Sequence, residues 1–462
     1  MTGSHIPGVD VGPYPIRAGN RVVPLVGGER AFRRICQAVE SAKHSVSVTI
    51  AFLTPDFEFP DGRGHLFDVL DRAAARGLDV RAIFWRSPEA YAFEKGGHFL
   101  GTEDDHRDLA RRGARFQARW DRLDKTYCHH QKSWLVDAGR PGEVAFVGGI
   151  NLNNGSVTAH PFPKRAIGHT QDVYCELAGP AATDVHHNFV QRWNLASERA
   201  MPLGAWPSPE RVDDLGPPHK ESPVAGDVTV QLTRTVRRGF YDDDSAPPGG
   251  RRFAVSGGEQ GVLQQYLAAI DAAREGVYFE NQIFAQPDVF GRVEAALARG
   301  VRVVAVVPGT PSFLVKLARR SPEGAAVFDA LAALGRSDGF TLAGLAATRA
   351  PGEYEDVYVH TKVAIVDDAW ATIGSTNLAN RSFFGDTELN ASFWHPETAR
   401  SFRNELLSAH HGADLSQHSF ASALDAFAAR ARENASQRAS GRPLQGFGFA
   451  LDAARWGEDD GS

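Results

Sequence analysis

Two stretches of this chain, "HHQKSWLVD" from His129 and "HTKVAIVDD" from His360, share an H-x-K-x4-D spacing and lie 230 residues apart (360 − 130). A duplicated pattern constrains the fold more than any local propensity, because both copies must be framed by equivalent elements. The frame does repeat. In the first half a β-rich run, "SVSVTIAFLTP", is followed by an Ala-rich helical pattern, "LFDVLDRAAARG" (66–77), and a second strand, "LDVRAIFW" (78–85). In the second half "GVYFENQIFAQ" (276–286), "VFGRVEAALARG" (289–300) and "VRVVAVVP" (301–308) keep that order. Gly77 and Gly300 stand where a helix is expected to end before a buried strand. After each H-x-K strand come a Gly-rich turn, "GGIN" or "GSTN", then another strand and a helix. Strands alternating with helices predict an α/β fold whose halves each hold a mixed, mainly parallel sheet covered by helices on both faces.

Composition marks the joints. Residues 201–226 hold six prolines and no apolar periodicity, so they read as a linker between halves at 20–200 and 227–412. Two long polar stretches, 234–252 and roughly 87–126, read as loops over a site. Within the latter Tyr91, Phe93 and Phe99 are expected to touch membrane or acyl chains. An amphipathic helix at 420–435 belongs to a packed C-terminal extension, 413–462, with no chemistry assigned. "GSH" near the start resembles a cloning remnant and is given no structural weight.

Acidic residues exceed basic ones by 56 − 50 = 6, so the surface as a whole offers no strong field for nucleic acid. Cys36, Cys128 and Cys175 are too few and too scattered for a disulfide framework, which fits a reducing compartment. No signal peptide is legible, and no run approaches the roughly 20 apolar residues that span a bilayer. A cytoplasmic or peripheral-membrane, monomeric protein is expected, which would meet a lipid substrate at a membrane or micelle surface.

In a strand, residues i and i+2 share a face, so His130 projects with Lys132 and His360 with Lys362. Two such strands facing each other across a pseudo-twofold would gather two imidazoles and two ammonium groups around one point. That set suits phosphoryl transfer: lysines neutralise the equatorial oxygens while one histidine attacks and the other protonates the leaving oxygen. Asn151 and Asn377 close "GGIN" and "GSTN" and add amide donors. Asp137 and Asp367 end their strands and are expected to tie down the following turn. Asp172 in "HTQDVYCEL" and Glu388 in "GDTELN" are better placed to orient an imidazole, and Glu388 is expected to pair with His360. His129, His169 and His395 are expected to be structural, and the pairs His186–His187 and His410–His411 to be surface or capping residues. No spacing typical of zinc sites, P-loops, nucleophile elbows or dinucleotide folds is present, so no metal or cofactor is expected.

The doubled motif with "GSTN" resembles the phospholipase D superfamily over roughly residues 20 to 412. "FVGGIN", "CELAGPAATDVHHNFVQRWN", "VYFENQIF", "VYVHTKVAIVDD", "GSTNLANRS" and "DTEL" resemble the plant-type phospholipases D in particular. The resemblance implies two fused αβα halves with one active site at their interface, and a covalent phosphohistidine resolved by water or alcohol. Carried over by position, His130 is the nucleophile and His360 the general acid. Lys132, Lys362, Asn151 and Asn377 hold the phosphate, with Asp172 and Glu388 behind the histidines. Hydrolysis of the head-group ester of phosphatidylcholine or phosphatidylethanolamine is the first expectation. "GGIN" ends in Asn where the plant-type enzymes usually have an acid, as cardiolipin synthases can, so phosphatidyl transfer is the alternative. A superfamily nuclease comes third.

Overall fold

A computed structural model describes residues 3–88, 97–124, 127–162 and 168–458. The first half is built on strands β1 (Arg17–Val26), β2 (Ser45–Ile50), β3 (Asp79–Trp85), β4 (Gln117–Asp121), β5 (Ser133–Val136), β6 (Val144–Gly148) and β7 (Val173–Ala178). The second is built on β8 (Val228–Val236), β9 (Gly276–Asn281), β10 (Arg302–Val306), β11 (Phe340–Ala350), β12 (Lys362–Val366), β13 (Trp370–Gly374) and β14 (Glu388–Trp394). Their spatial orders are β1-β7-β6-β5-β2-β3-β4 and β8-β14-β13-β12-β9-β10-β11, so each of these seven strands has a counterpart in the other half. In both sheets one parallel trio, β2-β3-β4 or β9-β10-β11, continues into antiparallel strands. β1 pairs antiparallel with β8, through Arg17↔Val230 and Asn20↔Val228, and joins the two sheets edge to edge.

Apolar periodicity decides which face each helix covers. Helices Gly28–Ser41 and Leu66–Ala75 lay Phe32, Ile35 and Leu70 on Val46 and Val48, on one face of the first sheet. Helices Gly261–Ala272 and Pro287–Ala298 lay Tyr266, Ile270 and Val293 on Val277 and Phe279 in the second. The other faces meet in a shared core, where Val147, Cys175 and Leu177 join Ile365, Ile373 and Leu389. Phe402 and Leu406 of helix Pro396–His411, with Phe420 and Phe427 of helix Phe420–Ala439, complete that core. Gly77 and Gly300 take φ of +85° and +87° just past their helices, a conformation that costs glycine nothing sterically.

Four sequence expectations need correction. The stretch 87–126 is not simply a loop: it holds helix Glu103–Arg112 and β4. Its polarity is that of an exposed helix with three acids in its first turn and two arginines in its last, which suits the helix dipole. Phe99 packs against Phe67, Phe84 and Trp120 at the edge of the first half's core, while Tyr91 and Phe93 lie outside the described residues. The N-terminal segment has structural weight, since Ile6 is fully buried and its carbonyl accepts from the Trp394 indole at 2.9 Å. His187 and His410 are buried, not at the surface: His187 lies against Tyr14, and His410 stands 3.6 Å from Glu280. Helix Ala182–Leu195, which carries His187, is covered on more than one side, while His410 lies on the single buried stripe of helix Pro396–His411 with Phe402, Leu406 and Leu407.

Asp137 and Asp367 act alike. Each sits in the left-handed region, at φ +55° and +54°, where Asp is among the tolerated non-glycine residues. Asp137 accepts from the backbone N–H groups of Lys43, His44 and Ser45; Asp367 accepts from those of Arg274, Glu275 and Gly276. Each carboxylate therefore fixes the entry to the neighbouring strand, β2 or β9. Asp137→Ala should destabilise the fold by about 2–4 kcal/mol, from orphaned donors and a strained φ. Asp137→Asn, which keeps one acceptor oxygen, should lose less than half of that in urea titrations. Equal losses would show that the hydrogen bonds do not matter.

Candidate active site

The two H-x-K segments meet at the boundary between the halves, and each is held by the other half. The His130 N–H donates to the Thr387 carbonyl at 3.0 Å, and His129 bridges to Thr387 in parallel register. In the counterpart, the His360 N–H donates to the Gln171 carbonyl at 2.9 Å, and Tyr358 and Val359 pair with Thr170 and Gln171. Thr387 precedes Glu388, and Gln171 precedes Asp172. Each histidine is thus delivered to the carboxylate that opens the other half's last strand.

The pairing is crossed. His130 Nδ1 lies 3.1 Å from both Glu388 carboxylate oxygens, and His360 Nδ1 lies 2.6 Å from Asp172 Oδ2. The expectation that Glu388 serves His360 is overturned. Equal spacing within each copy gives no sign of which copy a carboxylate will face. With Nδ1–H donated to a carboxylate, each imidazole keeps its Nε2 lone pair free for chemistry.

The lysines turn back on their own motifs. Lys132 Nζ donates to the His130 carbonyl at 2.8 Å; Lys362 Nζ donates to the His360 carbonyl, and to Gln282 Oε1 at 3.1 Å. A cavity of about 540 Å³ opens between the halves, lined by His130, His360, Asn151, Asn377, Phe52 and Tyr358 among others. Asn151 Nδ2 approaches His360 Nε2 at 3.5 Å, and the side-chain oxygens of Asn151 and Asn377 are buried with no hydrogen-bond partner among the described residues. A buried amide without partners is costly unless a ligand meets it.

Burial governs the charges. Desolvation, reinforced by Lys132 and Lys362, holds the His130 imidazole well below its ordinary range. Burial and Lys362 push His360 down to about 3, although the Asp172 carboxylate pulls the other way. Burial lowers Lys132, and brings Lys362 down to about 7. It also raises Glu388 to about 7 against the Ser375 hydroxyl and both lysines. Both imidazoles are therefore held neutral near pH 7, where Lys362 and Glu388 themselves titrate. A phosphodiester would bring the negative charge that favours protonated lysines and a protonated imidazole.

Sequence reading missed several contributors. Ser375, the second residue of "GSTN", donates to Glu388; its counterpart is Gly149, where a Cβ would come 2.5 Å from Asp172 Oδ1. The differing turns therefore match the differing acids, a longer Glu with a Ser and a shorter Asp with a Gly. Gln282, from "FENQIF", holds Lys362. Arg381 pairs with Asp386 at 2.8 Å, and Asp386 accepts from the Cys128 N–H at 2.7 Å on one wall of the cavity. Nothing in the linear pattern marks these two as neighbours of the motif. His129 is buried 3.2 Å from Asp121, and His395 caps helix Pro396–His411.

The model for the family described as "Cardiolipin synthase, PLD-like domain" matches residues 266–409. Cardiolipin synthase A of Pseudomonas putida is 26% identical over 380 residues, covering 81% of this chain and 64% of that protein. Phospholipase D alpha 2 of Arabidopsis thaliana is 23% identical over 526 residues, covering 85% of this chain and 63% of its own length. The chain thus spans less than two thirds of the length of either relative. The crystal structure of phosphatidylserine synthase from Haemophilus influenzae Rd KW20 superposes with a TM-score of 0.55 at 14% identity, covering 86% of this chain and 88% of that one.

Two measurements test the site. In ¹⁵N-labelled protein, Glu388→Gln should shift the ring resonances of His130 and spare those of His360, with Asp172→Asn doing the reverse; the opposite pattern would refute the crossing. The pH profile of kcat/KM should be a narrow bell. Glu388 must be ionised to accept from His130, so rate is lost as pH falls through about 7. Lys362 must be protonated to hold phosphate, so rate is also lost as pH rises through about 7. A plateau extending to pH 9 would contradict the depressed lysine.

Proposed function

From this chain's membership of the phospholipase D superfamily, we propose that it transfers the phosphatidyl group of a glycerophospholipid to an alcohol acceptor, through a phosphohistidine. The observation that carries the proposal is the pair of carboxylate-held imidazoles that line one cavity, with two buried lysines turned onto the carbonyls of those histidines. The relatives tip the choice between outcomes: cardiolipin synthases are named repeatedly among them, and a plant phospholipase D is also present. They favour transfer over the head-group hydrolysis that the motif wording places first. The phosphatidic acid route stays as the second reading, because water can replace the alcohol at the same intermediate.

The steps follow from the geometry. His130 Nε2 attacks phosphorus, its Nδ1–H donated to Glu388, and the bond to the leaving head-group oxygen breaks. That oxygen takes a proton from His360 Nε2, on the imidazole that Asp172 grips more tightly, 2.6 Å against 3.1 Å. Lys132, Lys362 and the amides of Asn151 and Asn377 hold the phosphate oxygens and stabilise the charge that builds on them. The acceptor hydroxyl then returns its proton to His360 as it attacks phosphorus, and the bond to His130 breaks. Because ammonium and amide groups already surround the phosphate, the reaction is expected to run in the presence of a chelator.

Vesicles of phosphatidylglycerol, incubated with the protein in chelator, should yield glycerol and a bisphosphatidyl product, and added alcohol should divert the phosphatidyl group. Phosphatidic acid alone, undiverted by alcohol, would favour hydrolysis. His360→Ala, given a substrate with a good leaving group, should trap an alkali-stable phosphoryl label on the peptide containing His130. Label on His360 in a His130→Ala protein, and none in the converse, would reverse the assignment.

A further inference from the structure

Among the described residues six large apolar side chains are strongly exposed: Met201, Val224, Phe313, Leu314, Leu317 and Phe384. Four of them belong to segments at the catalytic cavity. Ser312, Phe313 and Leu314 line it, and Phe384 stands between its lining residues Arg381 and Asp386. Helix Phe313–Arg320 is turned inside out: Val315 alone is buried, packed in the second half's outer core, while Phe313, Leu314 and Leu317 are 70%, 46% and 50% exposed. Leu317 is one turn from Phe313 and Leu314, so the three form one outward apolar face. The same eight residues carry Lys316, Arg319 and Arg320 and no acid, in a chain whose net charge is −6; Arg319 is held by Glu458 at 3.2 Å and by the Trp456 carbonyl at 3.0 Å, so Lys316 is the cation on which the docking rests. An exposed apolar face that also carries Lys316 matches the interfacial zone of an anionic bilayer, where apolar side chains enter among the acyl chains and lysine meets headgroup phosphates.

We propose that helix Phe313–Arg320 docks this protein on anionic phospholipid bilayers, bringing the mouth of the cavity against the lipid surface. The inference deepens the function proposed above and rests on it for its meaning, but binding can be measured without turnover. Phe384 adds a second apolar contact on the segment that carries Arg381 and Asp386. The phosphatidyl donor would then reach the histidines from the membrane side without leaving the interface.

Co-sedimentation of the full chain with vesicles tests this, comparing phosphatidylglycerol–phosphatidylcholine mixtures with phosphatidylcholine alone. Wild type should bind the anionic vesicles at least about tenfold more tightly, with the preference fading as salt screens it. Phe313→Ser/Leu314→Ser/Leu317→Ser and Lys316→Glu should each weaken that binding by about tenfold or more, with an unchanged melting temperature. Leu317→Ser, outside the cavity lining, should leave turnover of a monomeric short-chain lipid within about twofold of wild type while slowing turnover on vesicles. Undiminished vesicle binding by the triple variant would overturn the docking surface, even if wild type turns over phospholipid. Equal binding to neutral and anionic vesicles would overturn its charge selectivity. Helix-dependent binding without phospholipid turnover in any form would leave the docking surface standing and refute the proposed function instead.

Discussion

The backbone hydrogen bonds that cross from one half to the other, His130 to Thr387 and His360 to Gln171, are the constraint on which the site depends. They set each imidazole against a carboxylate one residue further along the partner strand. A hydrogen-bonded ladder leaves little freedom in register, because a slip of one residue would turn the acid away from the cavity. The edge pairing of β1 with β8 and the shared apolar core hold the two sheets in the one relation that permits this. Rigidity of the frame and placement of the reactive atoms are consequences of the same contacts.

Those contacts also explain how so many charges share a dry space. Two lysines, two imidazoles and two carboxylates are buried within one cluster, and each ammonium is partly satisfied by the carbonyl of its own motif histidine. Burying charge without full compensation shifts proton affinities toward the neutral forms. The depressed lysine and the raised glutamate express that imbalance.

Much of this is legible in the linear chain. The duplicated spacing, the strand–helix order on either side and the Gly-rich turns fix four of the seven counterpart strands in each half, β2, β3, β5 and β7 with β9, β10, β12 and β14, because a repeated pattern demands a repeated frame; the other three pairs carry no such mark, and β4 hides in a stretch that reads as loop. The eight polar residues of the cluster can be picked out for the same reason. Which acid faces which histidine cannot, since Asp172 and Glu388 stand in equivalent positions and only the cross-half ladder separates the alternatives. The "GGIN" and "GSTN" turns hold a trace of the answer, as Gly149 makes room for Asp172 and Ser375 reaches Glu388, but reading it requires the distances. Polarity misleads where a residue is charged yet structural. The acidic and basic ends of helix Glu103–Arg112 look like a loop, and His187 looks exposed on a helix that is enclosed.

The crossed pairing has a consequence for inheritance. The partners lie 258 and 188 residues apart in the chain, and each pair takes one member from each repeat. After a duplication, one copy is ordinarily free to drift while the other keeps the original task. Here neither copy has that freedom, for a change at Asp172 is felt by the second repeat's histidine and a change at Glu388 by the first's. Compensating substitutions must therefore arise in the opposite repeat. The two halves diverge as a coupled pair, and the loss of either would leave the survivor with a histidine and an acid that were never meant for each other.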